Sequence, residues 1–98
     1  MITIKYDDNS IKISGHSNAD VCAAVSSITY TGVNFLTEYK LDSIEFTDTV
    51  DENYDGEMNI KLLIQDDITK KIFDTMIKMY QDVVDQVPSS CIEIKKML

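Results

Sequence analysis

Ile11-Lys12-Ile13-Ser14-Gly15-His16-Ser17-Asn18-Ala19-Asp20-Val21-Cys22-Ala23-Ala24-Val25-Ser26 is the stretch in which the chain changes its period. Ile11 and Ile13 alternate with polar neighbours, the pattern of a half-buried strand. Beyond Gly15-His16 the apolar residues fall three and four apart. Val21, Val25, Ile28, Gly32, Leu36 and Tyr39 predict an amphipathic helix of about 20 residues. Asn18 or Asp20 can cap it, since either side chain accepts hydrogen bonds from first-turn amides. Many of its residues are small or β-branched, so packing rather than local propensity is expected to hold it helical.

Working outward, Ile2, Ile4 and Tyr6 alternate with Thr3 and Lys5, and Asp7-Asp8-Asn9-Ser10 is turn chemistry. The chain therefore opens with a hairpin. In the other direction, Ile44 and Phe46 mark a short acidic strand. Met58, Ile60, Leu62 and Ile64 give the cleanest two-residue alternation. A second helix follows from Ile68, Ile72, Met76, Tyr80, Val83 and Val87, capped by Asp66 or Asp67 and stopped by Pro88. Ile92 and Ile94 form a last strand. The order β-β-α-β-β-α-β predicts an α+β fold, a mainly antiparallel sheet with two helices packed on it. The 98 residues suit one domain, 1–98.

Composition narrows the function classes. The chain carries 17 Asp or Glu against 9 Lys and no Arg, a formal charge of −8. Direct nucleic-acid binding is not expected, because it needs clustered cations. Seven of the acids lie between Asp42 and Glu57, where there is no lysine; the remaining 10 acids face 9 lysines. The acidity thus belongs to one segment, and the body is nearly neutral. No apolar run approaches the roughly 20 residues that span a bilayer, and the N-terminus does not resemble an export signal. The expected compartment is the reducing cytoplasm, with Cys22 and Cys91 as free thiols.

The quoted stretch also carries the chemistry. A thiol must become a thiolate to attack a carbonyl, and the positive end of a helix favours that anion. A nearby imidazole can take the thiol proton and return it to a leaving amine. First-turn amides can receive the oxyanion of acyl transfer. His16, the one histidine, stands five residues before Cys22, with Gly15 permitting a sharp turn. A lone cysteine near a helix start is commonly a small core residue, and a lone histidine a solvated one. Spacing alone leaves both readings open.

Gly15-His16 followed by Asp20-Val21-Cys22-Ala23-Ala24-Val25-Ser26 resembles the signature of the ribosomal-processing cysteine protease family, Prp. The element order and chain length resemble that family's small homodimeric fold as well. The resemblance implies a cysteine endopeptidase with His16 and Cys22 as a catalytic dyad. It implies as partner a peptide segment of a structural-protein precursor, either the N-terminal extension of a large-subunit ribosomal protein or a phage capsid protein. Compared with the family pattern, the loop between His16 and Cys22 is short and lacks a glycine, and the acid stands two rather than three places before the cysteine. Gly15, Asp20 and Ser26 are candidate loop and substrate-binding residues; Ser26 lies one turn after Cys22 on the same helix face. The alternative is a non-catalytic homodimeric interaction module of the same fold in ribosome or virion assembly.

Other features carry less. Asp51-Glu52-Asn53-Tyr54-Asp55-Gly56 matches the first half of a calcium loop, but Leu62 stands where the bidentate glutamate belongs, so a hairpin turn is expected. Cys91 follows Pro88-Ser89-Ser90 with no histidine nearby in sequence and reads as structural. One histidine and two separated cysteines cannot build a zinc site, and no cofactor is expected.

Overall fold

The structure, a computed structural model, describes residues 1–50 and 56–97. Strands β1 (Ile2–Tyr6) and β2 (Ser10–Gly15) form the expected hairpin, with Ile4 opposite Ile13. Asp7 makes its turn: one carboxylate oxygen accepts from Asn9 N at 3.0 Å and from Ser10 Oγ at 2.8 Å. Those bonds, the Asn9 amide foremost, hold the Asp7 carboxyl below its ordinary range. Helix α1 (Ala19–Tyr39) follows, then the antiparallel pair β3 (Ile44–Val50) and β4 (Gly56–Leu62). Helix α2 (Asp67–Gln86) leads to β5 (Ile92–Lys96). The turn expected at 51–56 and its calcium-like motif lie, apart from Gly56, outside the described residues.

The five strands form one sheet in the order β3-β4-β2-β1-β5. Every pairing is antiparallel except β1 with β5, which runs parallel. The fold is α+β, as the sequence predicts. One face of the sheet presents Ile2, Ile4, Ile11, Ile13, Ile60, Leu62 and Ile92, all buried in a common cluster with Val21, Val25 and Leu36 of α1 and Phe73, Met76 and Tyr80 of α2. Both helices therefore cover that face. The opposite face carries Lys5, Lys12, Glu45, Thr47 and Lys61 to solvent, the usual division for a largely antiparallel sheet.

Two contacts fix the helices against each other. A Cβ added to Gly32 would collide with the Met76 side chain, so α1 and α2 meet where α1 has no side chain. Deeper in, the Thr29 and Tyr80 hydroxyls bond at 2.6 Å, and Thr29 Oγ1 also reaches Val25 O at 2.8 Å. Burial pushes the Tyr80 phenol up to about 12, partly opposed by its bond to Thr29. At the far end of α1, buried Ser43 bonds Leu36 O at 2.9 Å, and its own carbonyl receives Leu63 N at 2.8 Å. That corner ends β4 at Leu62 rather than letting the alternation run on to Ile64. No described helix is long and apolar enough to cross a membrane.

Candidate active site

The strand-to-helix corner is built by Gly15 and Asn18. Gly15 has φ of +83°, and a Cβ there would strike the Met1 carbonyl, so both the conformation and the space demand glycine. Three residues later Asn18 caps α1, its side-chain oxygen accepting from Val21 N at 3.0 Å. Of the two candidate caps, Asn18 is the one used; Asp20 is exposed in the first turn. Cys22 N donates to Asn18 O at 3.0 Å, which closes that turn and places the thiol at the positive end of the helix.

Cys22 is half-buried, and the Ser17 peptide holds its sulfur from both sides. Ser17 N donates to Sγ at 3.3 Å, and the thiol donates to Ser17 O at 3.4 Å. Sγ thus contacts the loop that carries His16, while the side chain also packs against the core. His16, Cys22, Gly15 and Ser26 all line one cleft of about 320 Å³. Asp20 is not among its lining residues.

The rest of the cleft was not singled out from sequence. Buried Ile2, Ile13 and Val25 also line it, together with Met58 and Gly56 of β4, Tyr30 of α1 and Asp48 of β3. Tyr30 lies two turns beyond Cys22 on α1, and its hydroxyl donates to Asp48 Oδ2. Its ring meets Phe46 edge-on, with centroids 5.6 Å apart. The sequence did carry a signal for Asp48: it continues the alternation Ile44, Phe46 and so puts a carboxylate on the apolar face of β3. Ser17 acts through its backbone and leaves no such signal.

Cys91 is half-buried against the core, and Asn18 Nδ2 donates to its sulfur at 3.8 Å. Distant in sequence, it thus sits beside the cap of α1. Both cysteines are free thiols. Among the described residues no three of His, Cys, Asp and Glu gather closely enough to hold a metal ion.

The Cys22 thiol thus stands at a helix start and opens on a groove that His16 also lines. The chain belongs to the cysteine protease Prp family, whose model matches residues 1–92. A search of curated proteins finds no match. Among solved structures, the essential ribosomal processing protease Prp of S. aureus, with a covalently linked product peptide, is 22% identical with a TM-score of 0.78, over 99% of this chain and 100% of that one. The same S. aureus protease with a substrate peptide gives 19% and 0.77, over 99% and 100%. SMU.848 of Streptococcus mutans gives 20% and 0.79, over 98% of this chain and 91% of that one. These likenesses establish a shared fold over nearly the full length.

Proposed function

We propose that the chain is an endopeptidase in which Cys22 is the nucleophile and His16 the general base, then the general acid. The observation that carries this reading is the placement of both residues on one cleft, in a member of a cysteine protease family. His16 takes the thiol proton, and the thiolate attacks the scissile carbonyl. The tetrahedral intermediate collapses as His16 protonates the leaving amine, and water then hydrolyses the thioester. Of the two Ser17 contacts, the amide favours the thiolate, since Ser17 N still donates to the anion, whereas the bond from the thiol to Ser17 O must break as His16 takes the proton. Gly15 sets the angle at which His16 leaves β2, and Ser26 forms cleft wall. Asp20 adds a favourable charge to the helix end without touching the groove.

The substrate we assign is an extended peptide segment, which an open cleft of this size accommodates better than a folded loop. Peptide-bound structures of S. aureus Prp support such an occupant. Within that class we assign the N-terminal extension of a large-subunit ribosomal protein or, for a viral gene, a phage capsid precursor. We further infer a homodimeric form, which would lengthen the groove, and action in the cytoplasm, a reading supported by two unpaired thiols.

The test is to incubate the protein, Cys22→Ala and His16→Ala with precursor proteins encoded by the same genome and to read cleavage by mass spectrometry. Cys22→Ala is expected to abolish cleavage, and His16→Ala to slow it by about 10²- to 10⁴-fold. Both variants should keep the parent's melting temperature to within the effect of about 1 kcal/mol. Cleavage by Cys22→Ala at the parent's rate sinks the proposal.

A further inference from the structure

Asp48 stands where the fold would accommodate an apolar residue. Ile44, Phe46 and Asp48 share the face of β3 that the helices cover, and across the strand pair the same face runs Leu62, Ile60, Met58. Ile44 is buried and Phe46 half-buried, whereas Asp48 is exposed at the cleft end of the row. An apolar side chain there would gain burial against Met58, and a carboxylate forgoes it. Tyr30 fixes that carboxylate by donating to Oδ2, and Phe46 fixes the Tyr30 ring. Among the described residues no other donor bonds this carboxylate. Among the described residues no lysine pairs with Asp48. Lys61 on the adjoining β4 and Lys12 on β2 beyond it point to the opposite face of the sheet, and Lys12 pairs there with Glu57. Among the described residues lining the cleft, Asp48 and His16 are the titratable side chains besides the Cys22 thiol and the Tyr30 phenol.

We propose that Asp48 is a specificity-determining residue of the cleft, taking the charged head of a Lys or Arg side chain in the bound peptide near the scissile bond. The inference rests on the peptidase reading of Cys22. A long cationic side chain fits the lining: its alkyl stem lies along Met58 and Ile13 while its head meets the carboxylate. The same carboxylate rejects Asp and Glu at that position by like charge.

Binding of a positional-scanning library of extended peptides to the Cys22→Ala chain tests this without requiring cleavage. One peptide position is expected to favour Lys or Arg over norleucine by about three- to tenfold. Asp48→Asn in the same background should erase that preference, and Asp48→Lys should turn it toward Asp and Glu. Asp82→Asn, the same charge change on α2 outside the cleft, should leave it intact. A Lys/Arg preference that survives Asp48→Asn overturns the assignment, as does the absence of any cationic preference in the Cys22→Ala chain. The unmodified chain incubated with the same library reports separately on Cys22: a library bound with the expected preference but left uncut counts against the nucleophile, not against Asp48.

Discussion

Each helix begins at an Asx cap, Asn18 bonding Val21 N at 3.0 Å and Asp66 bonding Thr69 N at 2.8 Å. The surroundings of the two caps differ. Asp66 is charged and has collected donors: Lys40 Nζ at 2.8 Å and Tyr39 Oη at 3.1 Å. The bond from Lys40, with the Thr69 amide second, holds its carboxyl far below the ordinary range. Asn18 is neutral, and the residue that follows its turn is a half-buried thiol on an open cleft. A carboxylate cap answers the positive end of its own helix. A neutral cap satisfies the amide without adding a charge of its own, so the carboxylate at that helix end is Asp20, which does not line the cleft. The cap of α2 is thereby a paired carboxylate, whereas the cap of α1 is uncharged and stands beside the Cys22 thiol.

The largest break in this comparison is expected at the corner before α1. Gly15→Ala forces a side chain into a positive φ and against the Met1 carbonyl, which should cost about 3 kcal/mol. The melting temperature should fall by more than about 10 °C, and cleavage should be lost with the displaced His16. The corner before α2, Leu63 to Gln65, contains no glycine, and Gln65→Ala should stay within about 0.5 kcal/mol of the parent. Removing the caps is the next test. Asn18→Ala and Asp66→Ala should each cost about 1 kcal/mol, read as a melting shift of about 4–8 °C. Only Asn18→Ala should also slow cleavage, by roughly ten- to a hundredfold, because it misplaces Cys22. Equal losses of turnover in both would erase the distinction.

These same corners show how far the sequence could be followed. Alternation at Ile2, Ile4, Ile11 and Ile13 and the three-four spacing of both helices mark their elements, because each apolar position faces the shared core. Two acceptors near one helix start, Asn18 and Asp20, are equivalent in sequence; the choice between them depends on where the chain leaves β2. The parallel pairing of β1 with β5 joins residues some 90 positions apart, with Ile2 opposite Ile92, and no local period encodes it. His16 and Cys22 were visible because rare residue types stood close together. Tyr30 and Asp48 were not, since they come from different elements and meet only across the cleft. Even so, the alternation through Asp48 was there to be followed one step past Phe46.

A smaller perturbation sharpens the contrast between the caps. Asn18→Asp keeps a good capping acceptor, so the melting temperature should change little. It also sets a negative charge beside the first turn, where it competes with a thiolate for the helix field. Alkylation of Cys22 at about pH 7 should slow by roughly two- to fivefold, the size of one surface charge at a helix end. Asp66→Asn should leave that rate unchanged. An unaltered rate in Asn18→Asp would mean that the Ser17 peptide and His16, rather than the helix end, govern the reactivity of the thiol.

The finest test uses acid. The Asp66 carboxyl titrates below its ordinary value of 3.8 when folded, so its bonds stabilise the fold above that value and are lost as the pH falls through it toward the folded value. The parent should therefore exceed Asp66→Asn in urea midpoint at about pH 6, and the gap should narrow toward about pH 2.5. Asn18 has nothing to titrate, so the deficit of Asn18→Ala should stay constant over the same range. A constant gap for Asp66→Asn as well would mean that Lys40 and Tyr39 add nothing through charge. The start of α2 would then be held by its cap geometry alone, as the start of α1 is, and the contrast between the helices would rest on the thiol and its cleft.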